Sequence, residues 1–283
     1  MQLDRTAIAR ELGVRSHFDV KAEAERRIDF LLTYLIRSQL ACFVLGISGG
    51  VDSTVAGRLC QLAVAKARSQ GASARFVAMR LPYGLQADEQ DAQRALAFIE
   101  PDEVLAVNIR PAADAMLVNL KESGHAFAHA SQEDFVLGNI KARQRMIAQY
   151  AVAGARRGLV VGTDHAAEAL MGFFTKFGDG ACDLAPLSGL TKGRVRALAS
   201  HLGAPAELVS KVPTADLETL RPQLPDESAF GITYAEIDAF LEGRPVSETT
   251  VAIIERFYLA SRHKRELPAQ TKWSGLESTT VVL

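Results

Sequence analysis

The sequence predicts an α/β fold built on a doubly wound, mostly parallel sheet of about five strands flanked by helices, and three observations carry that prediction. Short continuous apolar runs alternate with amphipathic helical patterns from Ala41 to about His201. The first of these runs ends in glycines and opens directly into a helix. The patterns between runs are long enough for crossover helices, which implies βαβ units with right-handed connections.

Each element follows from its own pattern. Ala41–Ile47 (ACFVLGI) is continuously apolar, as a strand covered on both faces requires. Ser53–Arg68 reads as a helix, with Val55, Leu59, Leu62 and Val64 or Ala63 on one face. Arg75–Met79 predicts a second strand, followed by a helix over Ala87–Ile99, and Glu103–Ile109 (EVLAVNI) predicts a third strand. A long helix is expected over Ser131–Arg157, with apolar positions at Phe135, Ile140, Met146, Ile147 and Tyr150, before a fourth strand at Gly158–Gly162. An N-terminal helix, Lys21–Ser38, and two C-terminal helices, Thr233–Glu242 and Glu248–Ser261, would pack around the sheet. No Pro/Gly/Ser-rich linker and no repeat interrupts the pattern. One domain over residues 1–283 is expected, with a core spanning 41–215 between an N-terminal helix at 20–38 and C-terminal helices at 230–262.

Composition narrows the class. In 283 residues, 48% are hydrophobic and 23% charged, near the averages for a folded globular chain. Lys and Arg number 32 against 33 Asp and Glu, so the basic excess of a nucleic-acid binder is missing. No stretch approaches the roughly 20 apolar residues that cross a bilayer. The first dozen residues mix both charges, unlike a signal peptide. Cys42, Cys60 and Cys182 are odd in number and form no C-x-x-C pair, which disfavours disulfides and zinc. A cytoplasmic protein with reduced thiols, no nucleic-acid partner and no membrane is expected.

The strongest local signal is Gly46-Ile47-Ser48-Gly49-Gly50-Val51-Asp52-Ser53, between the first strand and its helix. Paired glycines let the backbone approach a ligand, and the helix start adds partial positive charge. Ser48, Ser53 and Thr54 add hydroxyls, so the loop suits a polyphosphate. Asp52 would repel phosphate by itself, which implies a bridging Mg²⁺. Neither G-x-x-x-x-G-K-[ST] nor G-x-G-x-x-G occurs. The bland alternative is a glycine turn capped by Asp52 or Ser53.

SGGVDS resembles the loop of ATP pyrophosphatases, which cleave ATP between the α- and β-phosphates and adenylate a substrate. Further motifs select within that superfamily. Val161-Gly-Thr163-Asp164-His-Ala-Ala-Glu168 ends the fourth strand, where ligands of open parallel sheets bind, so Thr163 and Glu168 are placed to meet the same ATP as Asp52. Gly172-Phe-Phe-Thr-Lys176-Phe-Gly-Asp179-Gly-Ala-Cys-Asp183, Leu190-Thr-Lys192, Pro213-Thr214 and His263-Lys264-Arg265 follow. Taken alone, Phe173 and Phe174 read as core or interface residues, and Lys192 and the HKR cluster as solvated charges.

GISGGVDS, KARQRM, VGTDHAAEA, GFFTKFGDG, PTADLE, LPDE, YAEIDAFLEG and HKR occur in the order seen in the ammonia-dependent NAD synthetase family, which the chain resembles from about Val20 to Lys264. The resemblance implies a Rossmann-like adenine nucleotide α-hydrolase fold. It implies a homodimer that amidates deamido-NAD with ammonia through an acyl-adenylate, releasing AMP and pyrophosphate, with ATP as co-substrate. ATP would be held by Gly46 to Ser53 with Thr163, Lys192 and Thr214, and Mg²⁺ by Asp52 and Glu168. Deamido-NAD would be held by Arg143, Lys176, Asp183, His263 and Lys264, the last two from the neighbouring subunit. Lys192 would stabilise the phosphorus centre, and Asp179 or Asp183 would accept the proton that ammonium must lose.

Two segments depart from the family pattern. The residues after Arg265 lack its acidic-aromatic ending, and Lys121–Ala130 (KESGHAFAHA) reads as a mobile polar loop. His125 and His129 there have metal-pair spacing without a third ligand nearby. Other readings remain: a GMP-forming or tRNA-modifying synthetase with the same loop, or a non-catalytic nucleotide-binding module. The length leaves no room for the glutamine-hydrolysing domain of longer relatives, so free ammonia is the expected nitrogen donor.

Overall fold

The computed structural model describes residues 4–84, 89–215 and 217–271. Its elements begin with α1 (Arg5–Glu11), α2 (Val20–Ser38), β1 (Cys42–Gly46), α3 (Val51–Ser69), β2 (Arg75–Arg80), α4 (Glu89–Ile99) and β3 (Glu103–Ala106). Next come α5 (Arg110–Glu122), α6 (Ala130–Ala155), β4 (Gly158–Val160), α7 (Ala166–Met171), α8 (Lys192–His201) and α9 (Ala206–Ser210). The chain continues through β5 (Thr214–Ala215), β6 (Leu224–Pro225), α10 (Asp226–Phe230), α11 (Tyr234–Leu241), α12 (Glu248–Ala260) and α13 (Arg262–Arg265).

The main sheet is parallel throughout, in the order β3-β2-β1-β4. Alternate side chains of each strand enter different layers, as the two-residue period demands. Phe43, Leu45, Phe76, Ala78 and Leu159 pack with Leu31, Leu35, Leu59 and Leu198 from α2, α3 and α8. On the opposite face Val44, Val77, Met79 and Val160 meet Ile109 and Ala153. A third cluster joins Ile8, Leu170, Ile237, Ile254 and Tyr258 from α1, α7, α11 and α12. No helix among the described residues is long and apolar enough to cross a membrane.

Among the described residues the main sheet has four strands rather than about five. A single bridge, Val161 to Leu184, stands where a fifth would pair. The reason is local: Asp183 offers its side chain to the ladder, accepting the Val160 N–H on Oδ2 at 2.7 Å, and the pairing cannot propagate. The third apolar run also ends early, at Ala106, because Asn108 Oδ1 accepts the Arg110 N–H at 3.0 Å and turns the chain into α5. That helix was not expected, since EVLAVNI reads as one strand. Lys121 belongs to its last turn, and His129 caps α6 by accepting the Gln132 N–H at 3.1 Å. The expected helix start at Ala87 and most of the atypical tail lie outside the described residues.

The sheet order fixes where a ligand can sit. From β1 the chain moves to β2 and β3 on one side, then returns through α5 and α6 to place β4 on the other. The carboxyl ends of β1 and β4 therefore flank a topological switch, the crevice where open α/β sheets bind ligands.

Candidate active site

At that switch β1 runs into the glycine loop. Its last extended pairing is Ile47 N–H to Met79 O at 2.8 Å. Gly50 is the N-cap of the 19-residue helix α3, and no side chain among the described residues caps it. The first-turn amides are thus left for a ligand, and the expectation that Asp52 or Ser53 might cap the helix is corrected. Ser53 lies inside α3 and donates its hydroxyl to Gly50 O at 3.1 Å. Gly49 has φ +84, and a Cβ there would stand 2.6 Å from Ala92 N and 2.8 Å from Asp91 C, both rigid backbone of α4. Gly49→Ala is expected to lose about 2 kcal/mol or more, from left-handed strain plus this clash. Thermal unfolding checks it: the midpoint should fall by about 4 °C or more, and a smaller shift would mean that the α4 turn yields.

Opposite the loop, His165 caps α7, its Nδ1 accepting the Glu168 N–H at 3.5 Å, and its Nε2 faces the charged cluster. That nitrogen lies 3.5 Å from Asp52 Oδ1 and 3.6 Å from Glu168 Oε1. Lys192 enters from the first turn of α8, where Asp238 accepts its N–H at 3.0 Å and that of Gly193 at 2.7 Å. Its Nζ donates to Asp52 Oδ2 at 2.8 Å and lies 4.9 Å over the Tyr234 ring. Lys192 is only 1% exposed, so the solvated-surface expectation is wrong. Tyr234 in turn donates its hydroxyl to Asp226 Oδ2 at 2.8 Å.

The charges here are strongly unbalanced. Burial and then Lys192 push the His165 pKa down to about 3, so the ring is neutral. Burial opposes charge on Asp52, yet Lys192 outweighs it and holds that carboxyl below its usual range. Lys192 loses charge preference through burial and regains more from Asp52 and Glu168, so its pKa is raised. The surplus carboxyls cannot share this cation. Burial and then Asp52 raise Glu168 well above the ordinary glutamate range, while burial and then Asp179 do the same for Asp164. Asp226 is raised by burial, its Oδ1 having no hydrogen-bond partner among the described residues.

Asp52 Oδ1 is also buried without a hydrogen-bond partner among the described residues. Ligand atoms of Asp52, His165 and Glu168 lie within 4.8 Å of one another. Two carboxylates, one with an orphaned oxygen, fit a hard divalent cation that completes its shell with phosphate oxygens and water.

The expected dinucleotide-binding cations form a strip along the loop after α7. The Arg143 guanidinium donates to Lys176 O at 3.2 Å, and the Lys176 ammonium donates to His263 O. Lys264 Nζ donates to Gly172 O at 3.0 Å and Phe174 O at 2.9 Å within the same chain. Phe173 packs edge-on against Phe230 at 4.7 Å, a core contact as expected. Asp179 accepts the Thr175 N–H at 2.9 Å and belongs with the Asp164 group, its pKa raised by burial. Asp183 Oδ2 accepts the Val160 N–H at 2.7 Å, and its Oδ1 accepts the Tyr150 hydroxyl at 3.5 Å. Thr163 follows β4 at the switch, and Thr214 lies in β5, paired to Pro225 directly before Asp226.

Sequence reasoning missed His165, Asp164, Asp226, Tyr234 and Asp238. Their signals were present in VGTDHAAEA, LPDE and YAEIDAFLEG. Only the fold shows that these separate segments meet.

A model of the NAD synthase family matches residues 23–268. The NH(3)-dependent NAD(+) synthetase of Burkholderia cenocepacia is 64% identical over 262 residues, 93% of each chain. The crystal structure of NAD+ synthetase from Burkholderia pseudomallei superposes with a TM-score of 0.81 at 63% identity, covering 93% of this chain and 96% of that one. The NMN synthetase of Francisella tularensis is 34% identical with a TM-score of 0.78, covering 91% of this chain and all 100% of its own.

Proposed function

The chain belongs to the NAD synthase family, and from that premise we infer that it amidates deamido-NAD to NAD with ammonia, driven by ATP. The observation that carries this reading is the meeting of Lys192 and Asp52, 2.8 Å apart, with Glu168 beside the uncapped start of α3. A non-catalytic nucleotide module has no use for that buried cation among surplus carboxyls.

The work of the protein is positioning and charge stabilisation. The nicotinate carboxylate attacks the α-phosphorus of ATP, the bond to pyrophosphate breaks, and an acyl-adenylate forms. The loop from Gly46 to Ser53 would cradle the departing phosphates with backbone amides. Lys192 would turn from Asp52 toward the phosphorus centre as negative charge develops there. Asp52 and Glu168 would hold Mg²⁺, which when bound neutralises charge on the phosphates. Arg143, Lys176, His263 and Lys264 would hold the deamido-NAD pyrophosphate and ribose, with Asp183 at the strip's margin. Ammonia then attacks the activated carbonyl, releasing AMP and leaving the amide. Asp179 would take the ammonium proton, because burial raises its carboxyl above the ordinary aspartate range and makes it a stronger base.

The reading extends to the assembly and compartment. Val104 on β3, Met116 and Val118 on α5, and Phe135 and Ile147 on α6 are exposed and apolar, and a second copy would cover them in a homodimer. Its three cysteines are free, in keeping with the reducing cytoplasm. The N-terminal helix, nucleotide core and C-terminal helices act together as one synthetase unit.

The test is to supply ATP, Mg²⁺, deamido-NAD and ammonium, then assay NAD, AMP and pyrophosphate. All three should appear in equal amounts. ADP in place of AMP, or no NAD, overturns the reading. Nicotinate mononucleotide should be the poorer acceptor; faster turnover with it would instead match the activity named for the Francisella relative.

A further inference from the structure

Lys141, Asp134 and Gly138 lie on α6, outside the charged cluster, and none has a part in the chemistry above. Their spacing of four and three residues puts them on one helix face. Asp134 Oδ1 accepts the Thr219 N–H and Oδ2 the Leu220 N–H, both at 2.8 Å. Two turns on, Lys141 Nζ donates to Leu217 O at 2.8 Å and to Thr219 Oγ1 at 3.0 Å. Between them Gly138 admits the passing backbone: a Cβ there would stand 3.2 Å from Leu217 Cβ and 3.3 Å from Leu217 O. Asp134 and Lys141 are 7% and 3% exposed, whereas Leu220 is 60% exposed. The segment from Leu217 to Leu220 is therefore held by polar bonds to α6 and little by apolar burial.

We propose that this face of α6 is a cradle that positions the β5–β6 segment for ATP, with Asp134 and Lys141 as positioning residues. At its near end the segment is tied by the pairs Thr214–Pro225 and Ala215–Leu224, and by Asp226 N–H to Pro213 O at 3.1 Å. The cradle fixes its far end. Thr214 belongs to that short ladder and Asp226 directly follows it, so releasing Leu217 to Leu220 lets both drift from the nucleotide. Lys141 Nζ also stands 4.1 Å over the Tyr83 ring, just after β2, and so links α6 to that second segment. A buried Lys and Asp are an expensive means of stabilising a helix face, since apolar residues of like volume serve as well or better. Their bonds instead go to backbone that apolar packing does not hold.

The proposal rests on the function given above, and its test separates the two. Lys141→Met and Asp134→Asn are made in the full chain, with Thr219→Val as a milder variant that removes only a hydroxyl. Hydrogen exchange of the free protein should accelerate about tenfold or more at Thr219 and Leu220 and stay unchanged along β1 and β2. The KM for ATP should rise about tenfold, with kcat and the KM for deamido-NAD within about twofold. Lys141→Arg should restore part of the ATP effect. Unchanged exchange at Thr219 and Leu220 overturns the cradle whatever the activity. So does faster exchange with an unmoved KM for ATP, or an equal rise in both KM values. A wild-type protein that forms no NAD would defeat the function, while the exchange measurement would still decide the cradle.

Discussion

Lys192→Met is expected to lower the rate of NAD formation about a thousandfold, the scale seen when one preorganised charge is removed from a site. Methionine keeps the length of the stem and its packing against Tyr234, so the loss isolates the charge. The ammonium is almost wholly buried and touches Asp52 at 2.8 Å. In that dry setting it is poised to follow developing charge on the phosphorus with little solvent reorganisation. The effect should therefore fall on kcat for adenylate formation, read as exchange of labelled pyrophosphate into ATP, more than on KM for deamido-NAD. Lys192→Arg should rescue poorly, because the fork of a guanidinium does not fit a slot bounded by the His165 and Tyr234 rings. Exchange within tenfold of wild type would remove Lys192 from the chemistry.

The same substitution carries a stability signature with a definite sign. Lys192 holds the Asp52 carboxyl below its ordinary range against the pull of burial. Without it, burial dominates, and the folded Asp52 pKa moves above the unfolded one. Stability is then lost as pH rises from the unfolded aspartate pKa of about 4 through the new folded value. Melting curves of the variant and wild type should converge below about pH 4 and separate toward pH 8.

How far the sequence foretold this site depends on whether a residue's role is written locally. SGGVDS declares itself because strand, glycines, carboxylate and helix start lie within one short run, and the structure places them as expected. Glu168 was legible for a similar reason: it follows a strand whose end must face the switch. Lys192 was not, since a lysine at a helix start is ordinarily solvated, and its burial depends on Asp238 and Tyr234 more than 40 residues away. His165 was overlooked because its neutrality is a product of the folded environment. In the fold, Asp183 illustrates the reverse error. A side chain that replaces a backbone partner in a ladder looks like any other loop carboxylate until the fifth strand fails to form.

Glu168→Gln should abolish most activity and yet raise stability, which tests the idea that the cluster is built for a cation and not for the fold. Burial and then the Asp52 charge raise the Glu168 carboxyl well above its ordinary range. The free protein therefore keeps the proton that the unfolded chain releases above pH ~4.3, and wild-type stability is lost as pH rises through the folded value. Glutamine mimics the protonated carboxyl and has nothing to release. Its melting temperature should exceed wild type by a few degrees at pH 8, with the gap closing below about pH 4.5. Activity should fall about a thousandfold, because a hard cation loses one of two anionic ligands. Mg²⁺ with ATP should raise the wild-type melting temperature and move the variant much less. If the variant melts at or below wild type across this range, the carboxyl is a structural partner of His165, and the cluster owes its surplus charge to something other than a metal.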